Sequence, residues 1–251
     1  MSDAIRVGVI GVGYLGRFHA RIYNDMPGVE LVGVVDTDRE TADRIAAEYD
    51  TRALYDPMAL LDQVDVVSVV VPTSLHRQVA VPYLEKGIHM LLEKPVASTL
   101  EDAKVIVETA RKHNATLQIG HLERFNAGIM ALADHVNKPR FIEAHRLGPF
   151  VERATDVDVV TDLMIHDIDI ILSLVGDKLS SIAATGTPVL TNHVDIANAR
   201  LEFTNGAVAN VTASRVSSKK FRRIRVFSRN SYRAINFVDQ QLEVAYPGDI
   251  P

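Results

Sequence analysis

The 251-residue chain contains no cysteine and no tryptophan, and the missing cysteine already excludes several kinds of site. Without thiols there is no disulfide framework, no thiolate nucleophile and no cysteine-ligated zinc. No apolar run approaches the roughly 20 residues of a membrane-spanning helix, and residues 1–4 lead into a predicted strand without a signal segment. These features favour a protein of the reducing cytoplasm.

An excess of positive charge is also missing. The formal net charge is −5, from 27 lysines and arginines against 32 aspartates and glutamates, with both signs mixed along the chain. A chain of this charge lacks the basic surface that binds nucleic acid or anionic lipid. We therefore expect neither a nucleic-acid partner nor a membrane partner.

The most informative stretch lies at the start of the chain. An apolar strand over residues 6–10 runs directly into Gly11, Gly13 and Gly16, spaced G-x-G-x-x-G, and a segment of helical character follows. The first glycine would allow the tight turn, the second would let the backbone approach a pyrophosphate, and the third would let helix pack on strand. The order predicts a dinucleotide site, with Tyr14 and Leu15 in the loop that lines it.

Asp36 ends the second predicted strand, about 20 residues after the last glycine. A carboxylate there accepts hydrogen bonds from the ribose hydroxyls and repels a 2′-phosphate, so the sequence favours NAD over NADP. Arg39 is near enough to bind a 2′-phosphate, and NADP stays open as the alternative. A glycine turn in an α/β domain without cofactor is the other interpretation of the pattern.

Strands and helices then alternate as far as Gly120. The apolar runs at residues 65–71 and 88–92 are typical of strands covered on both faces of a parallel sheet. This order predicts an α/β domain with a doubly wound parallel sheet of the Rossmann type, and ligands bind such sheets at the carboxyl ends of the strands. The residues that follow the strands are therefore expected to line the cofactor site: Pro72, Thr73, His76, Glu93 and Lys94.

The pattern changes after Gly120. Alternating strands are predicted over residues 140–147, 194–203, 207–216, 221–227 and 232–238, and one buried helix over residues 162–175. Asn205-Gly206 joins two of the strands and is a strong hairpin signal. We expect a C-terminal α+β domain with a large, mostly antiparallel open sheet, helices on one face and a second subunit over the other.

Lys94 is the first candidate for chemistry. It follows a buried strand and precedes Pro95, at the edge where a nicotinamide would lie. A lysine there can hydrogen-bond a substrate hydroxyl and, if desolvated, take part in proton transfer. A surface lysine in a strand-to-helix loop is the equally weighted alternative.

Asp162 and His166 are four residues apart, which places a carboxylate and an imidazole on one face of a helix. An aspartate beside a histidine raises the pKa of the imidazole and orients the ring, as a base for a hydroxyl proton requires. A metal site competes, but no second imidazole lies at ligand spacing, and no metal is predicted. Acidic residues at a helix start beside a core histidine are the structural alternative.

Other polar residues are candidates for substrate contacts. His121 ends the last parallel strand, and Arg124, Arg146 and Arg153 could bind an anionic substrate group. We interpret the basic run that extends from Arg215 to Arg225 as a solvated strand edge.

These motifs occur in the order G-x-G-x-x-G, Glu93-Lys94-Pro95, Arg124-Phe125 and Asp162-x-x-x-His166, which resembles the Gfo/Idh/MocA family of NAD(P)-dependent oxidoreductases over essentially the whole chain. The resemblance implies that Lys94 and His166 handle the proton, that Asp162 orients the substrate and His166, and that the second sheet forms a dimer or tetramer. It implies a Rossmann domain over residues 1–121 and a substrate-binding domain over residues 122–251. Because relatives continue with another helix and strand, we expect that domain to be truncated at its C-terminus.

Within the family, one stretch is similar to members that act on nucleotide sugars. These members carry G-H-x-E-R-F-N-P, and this chain has Ala127 in place of the proline. The similarity implies that the substrate-binding residues include His121, Glu123, Arg124, Phe125, Asn126 and Arg153.

The function expected from the resemblance is hydride transfer from a secondary hydroxyl of a sugar to NAD, and the sugar is expected to be a UDP-N-acetylhexosamine oxidised at C3. A dehydrogenase of a free cyclic polyol or simple sugar is the alternative within the same chemistry. A dinucleotide-binding sensor without turnover is the alternative from another class. Such relatives would be expected to lose the catalytic side chains, whereas Lys94, Asp162 and His166 are all present.

Overall fold

The computed structural model describes residues 4–151, 157–246 and 248. The chain divides into two compact units, Met1–Gly120 and His121–Pro251. Among the described helices, none combines the length and the apolar composition needed to cross a membrane.

The first unit is built on a six-stranded parallel sheet, which confirms the predicted fold class. Its strands are β1 (Ile5–Ile10), β2 (Val29–Val35), β3 (Arg52–Leu54), β4 (Val66–Val69), β5 (His89–Leu92) and β6 (Leu117–Ile119). They lie in the order β3-β2-β1-β4-β5-β6. The order reverses between β1 and β4, and in sheets of this kind the reversal marks the ligand-binding edge.

Four helices cover both faces of this sheet: α1 (Gly16–Asp25), α2 (Arg39–Glu48), α3 (His76–Glu85) and α4 (Leu100–Lys112). One apolar cluster joins β1 and β2 to α1 and α2, and a second joins β4 and β5 to α3 and α4. The side chains of Asp38 and Thr99 cap α2 and α4 by accepting backbone N–H bonds. A strand between two such layers is apolar on both faces, which explains the near-continuous apolar runs.

The second unit contains a large, mostly antiparallel sheet, as predicted, but with seven strands instead of the five that the sequence indicated. Its strands are β7 (Phe141–Leu147), β8 (Leu179–Thr187), β9 (Ile196–Phe203), β10 (Val208–Ser214), β11 (Phe221–Ser228), β12 (Ser231–Asn236) and β13 (Gln241–Ala245). They lie in the order β13-β12-β11-β7-β10-β9-β8, and every neighbouring pair is antiparallel except β7 with β10. The β9–β10 hairpin turns at Asn205-Gly206, as its sequence indicates.

Helices cover one face of this second sheet. They are α5 (Ala127–Ala133) and α6 (Ile165–Val175), with a π-helical turn at Val160–Met164 directly before α6 and a 3₁₀ turn at Leu122–Phe125 before α5. Their apolar side chains pack with the inward residues of β7, β9, β10 and β11. Alternate residues of the strands therefore face either this core or the open side of the sheet.

Two local predictions were wrong. The helix expected to begin at Asp162 begins two residues earlier, and its first turn is π-helical. The basic run is not a solvated edge, because Arg215 is buried and pairs with Asp195, while Arg222 pairs with Glu123. Charged residues in a strand can point inward when carboxylates from other elements meet them.

Candidate active site

The glycine turn after β1 has the shape that a dinucleotide site needs. Gly11 has a φ of +85°, and a Cβ there would lie 2.6 Å from the carbonyl oxygen of Val70. A Cβ on Gly16 would overlap the carbonyl oxygen of Gly11, so only glycine lets α1 start this close to β1. A Cβ on Gly13 would meet no described atom within 4 Å. The backbone at Gly13 is therefore open to the approach of a ligand.

The N-terminus of α1 adds an attractive field for an anion. No side chain caps this ten-residue helix, and its first turn holds no acidic residue. Backbone N–H groups at such a helix start, together with the helix dipole, favour phosphate. Tyr14 and Leu15 are both exposed beside it, and the guanidinium of Arg17 lies 5.1 Å from the centre of the Tyr14 ring. These residues fit the pyrophosphate of a dinucleotide.

Asp36 lies at the end of β2, as predicted, and is tied to the glycine turn. Its Oδ2 accepts the N–H of Val12 at 2.9 Å, and its Oδ1 accepts the N–H of Asp38 at 3.0 Å. Each oxygen of an ionised carboxylate has further acceptor capacity, so ribose hydroxyls can still bind. The guanidinium of Arg39 lies 4.4 Å from the centre of the Tyr55 ring, where it stacks on the aromatic face.

The loop after β4 brings Pro72, Thr73 and His76 to the same carboxyl edge. Thr73–Leu75 forms a 3₁₀ turn, and His76 begins α3. The His76 ring is buried, with Nε2 3.0 Å from the carbonyl oxygen of Val71 and Nδ1 3.2 Å from that of Val96. The ring therefore braces the loops after β4 and β5, and Pro72 and Thr73 are the more accessible residues of this group.

Glu93 and Lys94 follow β5 directly. Lys94 is half-buried and the Lys94–Pro95 peptide bond is cis. Glu93 is buried, and its Oε2 accepts the backbone N–H of Lys94 at 3.2 Å. Burial raises the pKa of Glu93, but the hydrogen bond and charge of His19 and the N–H and charge of Lys94 outweigh it, so the pKa lies below its ordinary value.

Asp162 and His166 lie where the π-helical turn at Val160–Met164 continues into α6. Asp162 belongs to the π-helical turn and His166 to the first turn of α6, and both are half-buried. The helix is capped earlier, where Oδ1 of Asp158 accepts the N–H groups of Val160 and Thr161 at 2.8 Å each. π-helical turns are rare in proteins and are found frequently at functional sites.

Two arginines bind α6 through forked hydrogen bonds. Nε and Nη2 of Arg124 lie 2.6 Å from the carboxylate oxygens of Asp169. Nε and Nη2 of Arg146 lie 2.7 and 2.8 Å from those of Asp167, and both members of this second pair are buried. The geometry fixes α6, and with it His166, to the 3₁₀ turn and to β7.

Glu123 joins this network from the 3₁₀ turn. It pairs with Arg222 of β11, and its Oε1 lies 3.6 Å from Nη1 of Arg146. Burial raises the pKa of Glu123, but Arg222, Arg146 and His166 lower it by a larger amount, and it lies below its ordinary value. Glu123 is therefore close enough to His166, the predicted base, for their charges to interact.

Three of the remaining predicted substrate residues lie around the 3₁₀ turn at Leu122–Phe125. His121 precedes the 3₁₀ turn and Phe125 ends it, with a largely exposed ring. The side chain of Asn126 accepts the N–H of Gly128 at 3.0 Å and caps α5. Arg153 lies outside the described residues.

Sequence reasoning identified neither Asp195 nor His19. Oδ2 of the fully buried Asp195 accepts the N–H groups of Val189, Leu190 and Thr191 at 2.7–2.8 Å, and its Oδ1 lies 3.0 Å from Nε of Arg215. His19 is also buried. It lies with Gly16 and Ala20 on the buried face of α1, and their helical spacing can be recognised in the sequence. No comparable local signal marks Asp195.

Among the described residues, no group of three or more histidine, aspartate or glutamate side chains is placed to hold a metal ion. The cradle at Gly11, Gly13 and Gly16 fits NAD, since its open backbone and uncapped helix match a pyrophosphate.

Two family models match the chain. The model described as "Oxidoreductase family, NAD-binding Rossmann fold" matches residues 5–121, and the Gfo/Idh/MocA C-terminal domain matches residues 101–231. The chain is 41% identical over 245 residues to UDP-N-acetylglucosamine 3-dehydrogenase of Acidithiobacillus ferrooxidans, covering 97% of this chain and 78% of the relative. It is 28% identical over 238 residues to scyllo-inositol 2-dehydrogenase of Bacillus subtilis, covering 86% and 69%.

Solved structures give the same picture. The A. ferrooxidans UDP-N-acetylglucosamine 3-dehydrogenase superposes with a TM-score of 0.91 at 40% identity, covering 97% of this chain and 80% of that one. Levoglucosan dehydrogenase in complex with NADH and L-sorbose has a TM-score of 0.88 at 20% identity, covering 98% and 77%. At that lower identity the likeness establishes the fold alone.

Proposed function

Because the chain belongs to the Gfo/Idh/MocA family of NAD-dependent oxidoreductases, we propose that it oxidises a UDP-N-acetylhexosamine at C3. The observation that carries the substrate is the 41% identity to UDP-N-acetylglucosamine 3-dehydrogenase over 97% of the chain. Matches to the inositol dehydrogenases range from 28% to 32% identity over smaller shares of the chain. The proposed compartment is the cytoplasm, which supplies the nicotinamide cofactor.

The first unit provides the residues proposed to hold NAD. Gly11, Gly13 and Gly16 with the start of α1 hold the pyrophosphate, and Asp36 accepts the ribose hydroxyls. The residues at the carboxyl edge that flank the nicotinamide half are Pro72, Thr73, His76 and Lys94. When bound, NAD supplies the nicotinamide carbon that accepts a hydride.

The protein has to remove the hydroxyl proton as the C–H bond breaks. His166 is the proposed base, with Asp162 orienting the ring and the substrate. Lys94 is proposed to hydrogen-bond the same hydroxyl oxygen and stabilise the charge that develops on it. Fixing these groups in position lowers the entropic part of the barrier relative to the reaction in water.

Glu123 and Arg124 are proposed to act through α6. Their charged groups are already bound to Arg222 and Asp169, so they position the helix that carries His166. His121, Phe125, Asn126 and Arg153 remain the proposed substrate contacts of this region. The exposed ring of Phe125 offers an apolar surface of the kind that stacks on a sugar or a uracil base.

Turnover by a substrate panel tests this proposal. The absorbance of reduced nicotinamide is followed with NAD or NADP and each of UDP-N-acetylglucosamine, its uronic acid, free N-acetylglucosamine and myo-inositol. We expect turnover with a UDP-sugar and NAD, followed by identification of the oxidised carbon by NMR. Turnover with myo-inositol alone would replace the proposal with the polyol alternative. The lower similarity to inositol dehydrogenases is the observation behind that alternative.

A second copy of the chain is the proposed cover for the open face of the second sheet. Phe141, Phe227 and Tyr232 lie on that face, with ring centroids 5.9 Å apart for the first pair and 5.1 Å for the second. Clustered aromatic rings among charged neighbours are typical of subunit interfaces. Two-fold pairing of this face would bury it in a dimer or a tetramer.

A further inference from the structure

The Glu93 carboxylate ends a buried chain of hydrogen bonds that runs back to α1. Its Oε1 lies 3.4 Å from Nε2 of His19, and Nδ1 of His19 lies 3.1 Å from Oγ of Ser68. The hydroxyl of Tyr23 lies 2.9 Å from the same Oγ. Glu93, His19 and Ser68 are all buried, so this chain connects α1, β4 and the end of β5 inside the first unit.

The direction of each hydrogen bond in this series follows from the Glu93 carboxylate at its end. An ionised carboxylate only accepts, so Nε2 of His19 donates to Glu93. A neutral ring then accepts at Nδ1 from the hydroxyl of Ser68, whose oxygen in turn accepts from Tyr23. In this arrangement each hydrogen meets one acceptor, which is the condition under which a buried polar network rigidifies its surroundings.

Gly120 lies directly against the Glu93 carboxylate. A Cβ on Gly120 would lie 2.8 Å from Oε1, 2.9 Å from Cδ and 3.0 Å from Oε2 of Glu93. The backbone of Gly120 has no positive φ, so its small size is what the position requires. The carboxylate is thus held by His19 on one side, the Lys94 N–H on another and Gly120 behind it.

We propose that Glu93 is a positioning residue for Lys94, which it holds through the backbone N–H and its negative charge, and that Tyr23, Ser68 and His19 lock it in place. The proposal rests on the proposed function, in which Lys94 binds the reacting oxygen. It replaces a direct contact between the Glu93 side chain and the cofactor, because the carboxylate is buried and turned into this network. The groups that face Glu93 are the imidazole of His19 and the ammonium of Lys94.

The Glu93→Gln variant is the main test, because it keeps the shape and removes the charge. With the substrate that the wild type oxidises, kcat is expected to fall about tenfold or more, while the Kd for NAD stays within about twofold.

Three further variants perturb the network without changing its charge. Ser68→Ala and Tyr23→Phe remove single links, and Gly120→Ala pushes on the carboxylate; each is expected to lower kcat by a smaller factor at unchanged Kd for NAD. Glu108→Gln, on the exposed face of α4, is the matched control and should leave kcat and the Kd for NAD at wild-type values.

A second readout needs no substrate. Lysines are reductively methylated with ¹³C, the Lys94 signal is identified by its loss in Lys94→Arg, and its chemical shift at neutral pH is expected to differ between Glu93→Gln and wild type, because the neighbouring charge is removed. An unchanged chemical shift would overturn the proposal even if the enzyme proved to use another substrate. A raised Kd for NAD with unchanged kcat would make Glu93 a cofactor ligand instead, and a lowered melting temperature alone would make it structural.

Discussion

The guanidinium of Arg124 closes on the carboxylate of Asp169 with two hydrogen bonds of 2.6 Å each. The sequence predicted Arg124 as a substrate ligand, whereas in the structure its fork is already filled by a residue of α6. The two hydrogen bonds use Nε and Nη2, so Nη1 of the partly exposed guanidinium keeps its donors. The pair ties the 3₁₀ turn of Arg124 to the helix that carries His166.

The first prediction concerns the stability that this pair contributes. Asp169→Asn leaves the charge of Arg124 without its partner, and the free energy of unfolding is expected to fall by about 1–3 kcal/mol in denaturant titrations. Glu202→Gln is the control, because it breaks the Arg200–Glu202 pair, whose side chains are both nearly half exposed. The control should change the free energy of unfolding very little. Equal effects in the two variants would contradict a stabilising role for the Arg124–Asp169 pair, in which Asp169 is buried and Arg124 is nearly half exposed.

The second prediction is a dependence of stability on pH that comes from Asp195. Three backbone N–H groups and the hydroxyl of Thr191 lower the pKa of this carboxyl far below its ordinary value and overcome the effect of burial. A lowered folded-state pKa gives stability that is complete above the unfolded value of about 4 and is lost as the pH falls below it.

Asp195→Asn should therefore melt at a lower temperature than wild type at neutral pH. The gap between the two proteins is expected to stay constant down to about pH 5 and to narrow below about pH 4. Melting curves across this range provide the measurement, with Asp134→Asn, at the exposed residue directly after α5, as control. A gap that keeps its size in acid would show that the Asp195 charge is not the source of the stabilisation.

The sequence predicted those parts of the fold that depend on local patterns. Apolar runs, alternation and turn residues depend on neighbours in the chain, so both sheets, the Asn205-Gly206 hairpin and the glycine turn were predictable. The π-helical turn was not, because the four-residue spacing of Asp162 and His166 was interpreted with ordinary α-helical geometry.

The ionic contacts were the other part that the sequence did not predict. The charge of Arg222 suggested a solvated residue. The sequence does not show that Glu123, on a 3₁₀ turn far away in the chain, lies beside it. The same holds for Arg215 and Asp195, which meet only when the sheet has formed. Pairing of charges between remote elements depends on tertiary structure, which local periodicity does not encode.

The third prediction separates the two roles of the glycine turn. Gly13→Ala should fold with a wild-type melting temperature, because the space around Gly13 is open, but raise the Kd for NAD about tenfold or more. Gly16→Ala should lower both stability and affinity, since its Cβ would overlap the Gly11 carbonyl. Gly148→Ala, with open space around it in the second unit, is the control. Unchanged NAD affinity in Gly13→Ala would place the pyrophosphate elsewhere.

The fourth prediction concerns the proposed subunit interface. Phe227→Glu puts a charge among the aromatic rings of the open sheet face and is expected to lower the molar mass measured by light scattering to that of a monomer. Met130→Glu introduces the same charge on the exposed side of α5 and should leave the mass unchanged. A wild-type chain that is already monomeric, or a Phe227→Glu variant that stays oligomeric, would contradict this interface.

The last prediction tests the proton chemistry. His166→Ala removes the proposed base and Lys94→Ala the proposed donor to the reacting oxygen, so each should lower kcat about 100-fold or more at little cost in NAD affinity. Replacing an exposed histidine and an exposed lysine, His193→Ala and Lys104→Ala, controls for loss of the residue types. Because the hydroxyl proton has to be accepted as the C–H bond breaks, variants that both retained kcat would rule out this pair. A loss confined to KM would instead assign the two residues to substrate binding.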